Sequence, residues 1–278
     1  MRLVQQSVLP GFNVTMGFTV AYLSLIVLIP LSGLFIVTSG VSFDEFCAIL
    51  SNKLVKQAFI VTFRASFIAA SINAFFGLIV AWTLVRYQFW GRRLLDALVD
   101  VPFALPTAVS GLALARIYSS DASVGWIGPY LPFEVCGTEI GVTIALTFIG
   151  TPFVIRALQP ALEEVERELE EAAASLGATR WQTFWRVIFP LILPAQIAGF
   201  TMAFARALGE YGSVLFIGRM IPGKTELVSN VIMGKLYAEN GLVAASAVAL
   251  AALLISFALL LLINGAQAWA RRRGGRTD

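Results

Sequence analysis

The chain has 278 residues, of which 58% are hydrophobic and 13% charged, with a formal charge of +3 and a mean hydropathy of +0.81. A soluble domain carries roughly 45–50% apolar and about 25% charged residues, so this composition belongs to a membrane protein and leaves no room for a separate soluble catalytic domain. The sequence has no histidine, which excludes Ser-His-Asp and Cys-His nucleophiles, histidine metal ligation and a histidine proton relay, while Cys47 and Cys136 are too few for a cysteine-rich zinc or iron–sulfur cage.

Apolar segments at 16–37, 58–85, 95–117, 140–155, 195–217 and 242–268 predict six membrane-spanning helices. The fold class is therefore all-α and polytopic, with residues 1–278 forming one membrane domain. The first run is too long for a signal-peptide core and lacks a small-residue cleavage site, so it reads as a retained span. The second contains Arg64, about 9 Å from its outer end at 1.5 Å per residue, close enough for the side chain to reach the surface. In the third, Pro102 and Pro106 either open backbone hydrogen bonds beside a pathway or mark a helix start. The fourth has a short uninterrupted stretch with Pro152 inside it, extended past Arg156 by Ala157 and Leu158. In the fifth, Arg206 and Glu210 are four residues apart, share a helix face and can neutralise one another where a lone charge is expensive. They either line or brace an anion pathway or fix packing as a buried ion pair, and Gly209 and Gly212 allow bending or close approach. The sixth begins with the alanine-rich stretch 244–252, which suits close helix packing.

Lys and Arg concentrate on cytoplasmic loops. With the N-terminus inside, the cytoplasm receives Arg2, Arg86, Arg92, Arg93, Arg156, Arg167, Arg180, Arg186, Arg271, Arg272, Arg273 and Arg276, against Lys53, Lys56, Arg116, Arg219, Lys224 and Lys235 outside. Both termini are thus expected in the cytoplasm. The basic residues are dispersed, without the clustered face that nucleic acid requires.

This topology leaves one large cytoplasmic loop, 159–194. Val165, Leu169, Ala172 and Leu176 recur at helical spacing among glutamates, predicting an amphipathic helix over 163–176. Gly177 can take the left-handed conformation that ends it, and Thr179 with Gln182 forms a capping box that starts a second helix. That helix carries Trp181, Phe184 and Trp185, suited to the membrane interface or a partner, and Pro190 and Pro194 are expected to close it.

Glu171-Ala172-Ala173, then Gly177, then Val187-Ile188-Phe189-Pro190, resembles the EAA loop of ABC-importer permeases, with Val187 and Phe189 as apolar replacements for the family's Ile and Leu. The resemblance implies coupling helices that dock into a separate ATP-hydrolysing subunit through Glu171, Ala172, Ala173, Gly177 and Pro190. Residues 94–98 and 100–109, and the opening 8–12, are similar to T-type permeases of sulfate/thiosulfate importers. The run Arg206-Ala207-Leu208-Gly209-Glu210-Tyr211-Gly212 resembles a signature shared with molybdate permeases, so a molybdate or tungstate importer is the alternative. The resemblance further implies a bacterial-type inner membrane location, a second permease of the same class, two ATP-binding cassette subunits and an extracytoplasmic sulfate-binding protein. ATP and Mg would reside on the ATPase subunits and no cofactor on this chain. Arg206, Glu210, Gly209, Pro102 and Pro106 are the candidates for the translocation pathway.

One motif points elsewhere. Residues 218–225, Gly-Arg-Met-Ile-Pro-Gly-Lys-Thr, satisfy the P-loop pattern G-x-x-x-x-G-K-S/T, which would make the chain a membrane enzyme. The charge distribution instead places the stretch in an outer loop, where a Gly/Pro turn with two basic residues is expected. Cys47 and Cys136 also map outside, where a disulfide is chemically possible, and are read as free thiols.

Overall fold

A computed structural model describes the backbone of residues 12–238 and 241–274. Residues 8–11 of the opening run, together with Arg2 and Arg276, lie outside the described residues. Among the described residues, five helices are long and apolar enough to cross a bilayer. The first combines α1 (Phe12–Leu23) and α2 (Ile29–Ser39) through a π-helical turn at Ser24–Leu28. A short α3 (Phe43–Ser51) precedes α4 (Lys53–Arg86), where Asn52 caps the start by accepting from Leu54 N and Tyr87 ends the helix in an extended conformation. Then come α5 (Arg92–Val99), α6 (Val101–Ala104) and α7 (Thr107–Ile117), followed by the long α8 (Glu139–Glu164). After α9 (Arg167–Ser175), α10 (Arg180–Thr183) runs through a π turn at Phe184–Ile188 into α11 (Phe189–Leu208), giving one continuous helix of 29 residues. The chain closes with α12 (Gly212–Gly218), α13 (Val228–Leu236) and α14 (Leu242–Gly274).

Three expectations are corrected. The third predicted span is not one helix but α5, α6 and α7, because Asp100 and the extended Leu105 with Pro106 interrupt the backbone ladder. The fifth predicted span stops at Leu208, nine residues short of 217. The cytoplasmic loop is also smaller than 159–194: α8 continues to Glu164, and the expected helix over 163–176 is cut at Val165 and Glu166, both extended.

Pro190 and Pro194 do not close the second cytoplasmic helix, and the reason recurs at Pro30. Each π turn stands just before a proline, whose ring collides with the carbonyl four residues back and which has no N–H to donate. In both turns the preceding residue reaches five positions back, Ile29 N to Ser24 O and Phe189 N to Phe184 O. The wider turn lets the helix pass the proline.

The core lies where α4, α8 and α11 meet. Helices in lipid gain no hydrophobic drive from one another, so association rests on close van der Waals packing of small residues. Val154 of α8, fully buried, sits between two glycines: a Cβ on Gly77 of α4 would lie 2.9 Å from Val154 Cγ1, and one on Gly199 of α11 2.9 Å from Val154 Cα. Asn73, Gly150 and Thr151 extend the contact, with Thr151 Oγ1 donating to Asn73 Oδ1 at 3.0 Å. The alanine-rich start of α14 is buried through Ala245, Ala247 and Ala251, as its composition suggests. Arg64, in the first half of α4, pairs with Glu139, the first residue of α8.

A methyl group at either glycine should lower stability by about 1–3 kcal/mol, the usual cost of overpacking. Gly199→Ala should be the worse, because it strikes backbone, and Val154→Ala should relieve Gly77→Ala but not Gly199→Ala. Thermal unfolding in detergent, with Gly17→Ala as a control that meets nothing within 4 Å, checks the order.

Candidate translocation and coupling sites

The helix break between α11 and α12 brings Arg206 and Glu210 together. Arg206 Nη1 lies 2.6 Å from Glu210 Oε2, the pairing their spacing predicts, but they do not share a helix because α11 ends between them. Glu210 is 1% exposed, and its Oε1 accepts from the backbone N of Ser213 at 2.9 Å and from Ser213 Oγ at 3.0 Å. One carboxylate therefore neutralises a guanidinium and satisfies the first turn of α12. Ser229 Oγ donates to the Glu210 carbonyl at 2.6 Å, tying the break to α13. Arg206 keeps 32% of its side chain exposed, and Gly209 beside it is exposed and lines a cleft of about 300 Å³ with Thr62 and Ser229.

Pro102 and Pro106 both mark helix starts, Pro102 in the first turn of α6 and Pro106 just ahead of α7. At such positions a missing N–H costs nothing. The two interrupted segments lock against each other at glycines: a Cβ on Gly111 of α7 would fall 2.2 Å from Ser213 O, and one on Gly212 of α12 would fall 2.4 Å from Thr107 Oγ1. Backbone meets backbone there, next to the residue that Glu210 caps.

A second charged cluster was missed by reading the sequence for motifs. Arg156 of α8 grips Asp100 through Nε at 2.9 Å and Nη2 at 2.5 Å, Asp96 Oδ1 and Gln159 Oε1 through Nη1 at 2.7 and 2.6 Å, and the Asp96 carbonyl through Nη2 at 2.9 Å. Gln159 Nε2 also donates to Asp96 Oδ1 at 2.9 Å. All five guanidinium donors are used, so α5 is fastened to the C-terminal half of α8. Asp96 and Asp100, four apart in an apolar stretch, were the available signal, since charges in such places require partners.

Helices α9 and α10 keep the predicted punctuation. Gly177 has φ +82°, and Ala178 N to Ala173 O with Gly177 N to Ala174 O forms the paired bonds of a Schellman end. The capping box is present, with Gln182 N donating to Thr179 Oγ1 and Thr179 N to Gln182 Oε1. The apolar stripe, however, is not folded against the chain itself. Val165 and Ala173 are buried, while Leu169, Ala172 and Leu176 are exposed, Leu176 at 89%, along with Trp181 at 70% and Glu171. Pro190 sits in the first turn of α11, just past the π turn.

The stretch 218–225 has neither the strand before it nor the architecture of a phosphate cradle. It leaves the helix α12, turns through Arg219 and Met220 at φ +58° and +45°, and uses Thr225, fully buried, to hold itself together. Thr225 Oγ1 accepts from Ile221 N at 3.0 Å and donates to Gly218 O at 2.5 Å, so the hydroxyl that a P-loop offers to a metal is already committed. Cys47 is exposed and Cys136 buried, and both are free thiols. Burial pushes the Cys136 thiol up from its ordinary range, and its Sγ donates to Ala115 O at 3.5 Å.

Residues 73–274 match the family described as binding-protein-dependent transport system inner membrane component. The chain belongs to this family. It is 45% identical over 266 residues to the sulfate transport system permease protein CysT of Salmonella typhimurium, covering 96% of each chain. The CysT of Escherichia coli is 44% identical over 267 residues, again 96% of each, and that of Synechocystis 42% over 257 residues, 91% of this chain and 88% of the relative. Two solved structures share the fold. A subunit of a bacterial alginate ABC transporter in complex with an alginate pentasaccharide-bound periplasmic protein superposes with a TM-score of 0.75 at 16% identity over 91% of this chain and 92% of that one. A subunit of the MetNI methionine ABC transporter gives 0.58 at 20% identity over 80% and 97%. The chain is thus an inner-membrane, multi-pass component of a binding-protein-dependent transport system.

Removing one member of the Arg206 and Glu210 pair leaves a charge uncompensated among apolar helices, at a cost of about 3–5 kcal/mol. Glu210→Leu should be the most damaging single change, since it also strips the acceptor from Ser213. The double variant Arg206→Leu with Glu210→Leu should unfold at a higher temperature than either single variant. Additive losses would mean that the two are not partners.

Proposed function

We propose that this chain is the T-type membrane-spanning subunit of an ATP-driven sulfate and thiosulfate importer. The observation that carries the reading is the 44–45% identity to CysT permeases along 96% of the chain. In this reading a second permease of the same class supplies the other half of a twelve-helix pathway. Two ATP-binding cassette subunits take up the coupling helices, and an extracytoplasmic sulfate-binding protein delivers the anion.

The interrupted segment α5 to α7 is the sixth crossing. Supporting this, α5 meets α8 at Arg156, whereas α7 meets Cys136 just ahead of Glu139. Those positions are separated by about 25 Å of helix at 1.5 Å per residue. Six crossings return both termini to the cytoplasm, in keeping with the asymmetry of Lys and Arg.

The coupling surface is Glu171, Ala172, Ala173, Gly177 and Pro190. Leu169, Leu176 and Trp181, apolar and exposed on α9 and α10, are suited to the cleft of an ATPase. Because α10 is continuous with α11, a displacement at Trp181 travels along a rigid helix of about 40 Å to Arg206, Gly209 and Glu210. Closure of the ATPases is thereby converted into a shift between inward-open and outward-open populations. The pathway runs past that break and the one at Pro102 and Pro106, with Arg206 as the cation nearest to a passing anion.

The test is reconstitution with the ATPase and candidate binding proteins. Sulfate-loaded binding protein should stimulate ATP hydrolysis and molybdate-loaded protein should not; the reverse would reassign the anion. Gly177→Asp, which puts a side chain on a left-handed residue, should insert normally yet lose ATPase co-purification and cut uptake by about tenfold or more. Lys224→Ala changes an outer turn and should leave uptake intact. Opposite results for these two variants would place the working loop on the wrong side of the membrane.

A further inference from the structure

Arg86 is the last residue of α4, and its side chain is only 12% exposed. Its Nη2 lies 2.9 Å from Glu170 Oε1 and donates to the Val165 carbonyl at 3.1 Å, and its guanidinium carbon stands 5.6 Å from the centre of the Trp82 ring. One partner, Val165, lies in a joint, and the other, Glu170, lies on the helix beyond it. Val165 and Glu166, both extended, separate α8 from α9, and Val165 is anchored in the core beside Leu84 and Leu162. Glu170 belongs to α9 and immediately precedes Glu171-Ala172-Ala173. A two-residue extended joint on its own would let α9 swing without moving any span. One nitrogen that holds both the joint and the helix beyond it removes that freedom and adds α4 to the moving body.

The geometry points to Arg86 as a positioning residue for coupling, one that makes displacement of α9 pull on the inner end of α4. This rests on the reading of α9 and α10 as the coupling helices. The charge complement agrees with a holding role. The polar cleft around the contact, about 310 Å³, is walled by Trp82, Arg86, Tyr87, Arg167, Glu170 and Glu171, two cations facing two carboxylates, so Arg86 is not left over as a free charge. Trp82 meets Phe184 of the π turn edge to face with ring centres 5.6 Å apart, which brings the start of the long helix to the same corner. A guanidinium beside an indole ring, hydrogen-bonded to the Val165 carbonyl and ion-paired with Glu170 in a half-buried setting, resists the swing more than an exposed surface pair would.

The test uses the reconstituted complex of permease pair, ATPase and binding protein. Three quantities are measured for Arg86→Gln, Glu170→Gln and the exchange Arg86→Glu with Glu170→Arg: ATPase co-purification, the ratio of binding-protein-stimulated to unstimulated ATP hydrolysis, and anion uptake. Arg86→Gln and Glu170→Gln should keep the ATPase bound while the stimulation ratio and uptake fall by about tenfold, within the usual range of a coupling between sites. The exchange should recover part of the ratio. Full stimulation and uptake in both single variants would overturn the proposal. So would loss of ATPase binding in both, since that would make the pair part of the docking surface. If Arg86→Gln fails to accumulate, Glu170→Gln, which leaves the Val165 bond in place, decides alone. The parent reading is judged separately by Gly177→Asp: a Gly177→Asp protein that still binds the ATPase removes the coupling loop itself, whereas its loss of binding together with harmless Arg86 and Glu170 changes removes only the role of Arg86.

Discussion

Within a bilayer an unpaired charge or an unsatisfied backbone N–H has no water to turn to, and that constraint decides where this chain can interrupt its helices. At the α11–α12 break, the Glu210 carboxylate meets both demands, accepting from Ser213 and neutralising Arg206. At the other interruption, prolines at helix starts remove donors that would have lacked acceptors, and Arg156 secures the preceding α5 through Asp96 and Asp100. The glycine contacts between α7 and α12 then let the two interrupted segments meet backbone to backbone. Buried ion pairs are often replaceable by apolar residues without loss of stability. The presence of such a pair at the α11–α12 break, where Glu210 is buried, therefore suggests a use beyond holding the fold, and an element that can exchange one partner for another is such a use.

The continuous helix 180–208 joins the two ends of the molecule. Its first turn carries the exposed Trp181 and its last turn carries Arg206. The π turn before Pro190 keeps it in one piece where a proline would otherwise have divided lever from pathway. On this account the Arg86 clasp serves the same end on α4, so that a displacement at the cytoplasmic helices reaches two spans rather than one. In the proposed mechanism this lever ends at the anion pathway.

Much of this was legible in the sequence, and the failures have physical causes. The Gly177 bend, the Thr179 and Gln182 capping box and the Arg206 and Glu210 contact all follow from short-range rules, because each depends on residues within a turn of one another. The hydropathy of 95–117 and 195–217 correctly marked apolar segments but not continuous helices. Apolar composition reports the solvent, and the backbone ladder is broken by Leu105, Pro106 and Gly209 without changing that composition. Pro190 misled in the opposite sense, since a π turn immediately before it, invisible to composition, let the helix continue. The contacts of Arg156 with α5 and of Arg86 with α9 span 56 to 84 positions along the chain, and no local pattern encodes them. The P-loop match at 218–225 shows the converse: a short pattern can be satisfied by a turn whose hydroxyl is consumed internally.

A cysteine introduced at Gly209, in a chain with Cys47 and Cys136 replaced by serine, tests whether the anion passes the α11–α12 break. The position is exposed, and a Cβ there meets nothing within 4 Å, so the fold should tolerate it. Its rate of modification by a small hydrophilic thiol reagent is measured in the reconstituted complex, at rest and during ATP-driven turnover with sulfate-loaded binding protein. A pathway position predicts a modification rate that changes severalfold with turnover, and uptake that falls in step with the modified fraction. A rate indifferent to turnover, with uptake unaffected by complete modification, would contradict a pathway at the α11–α12 break.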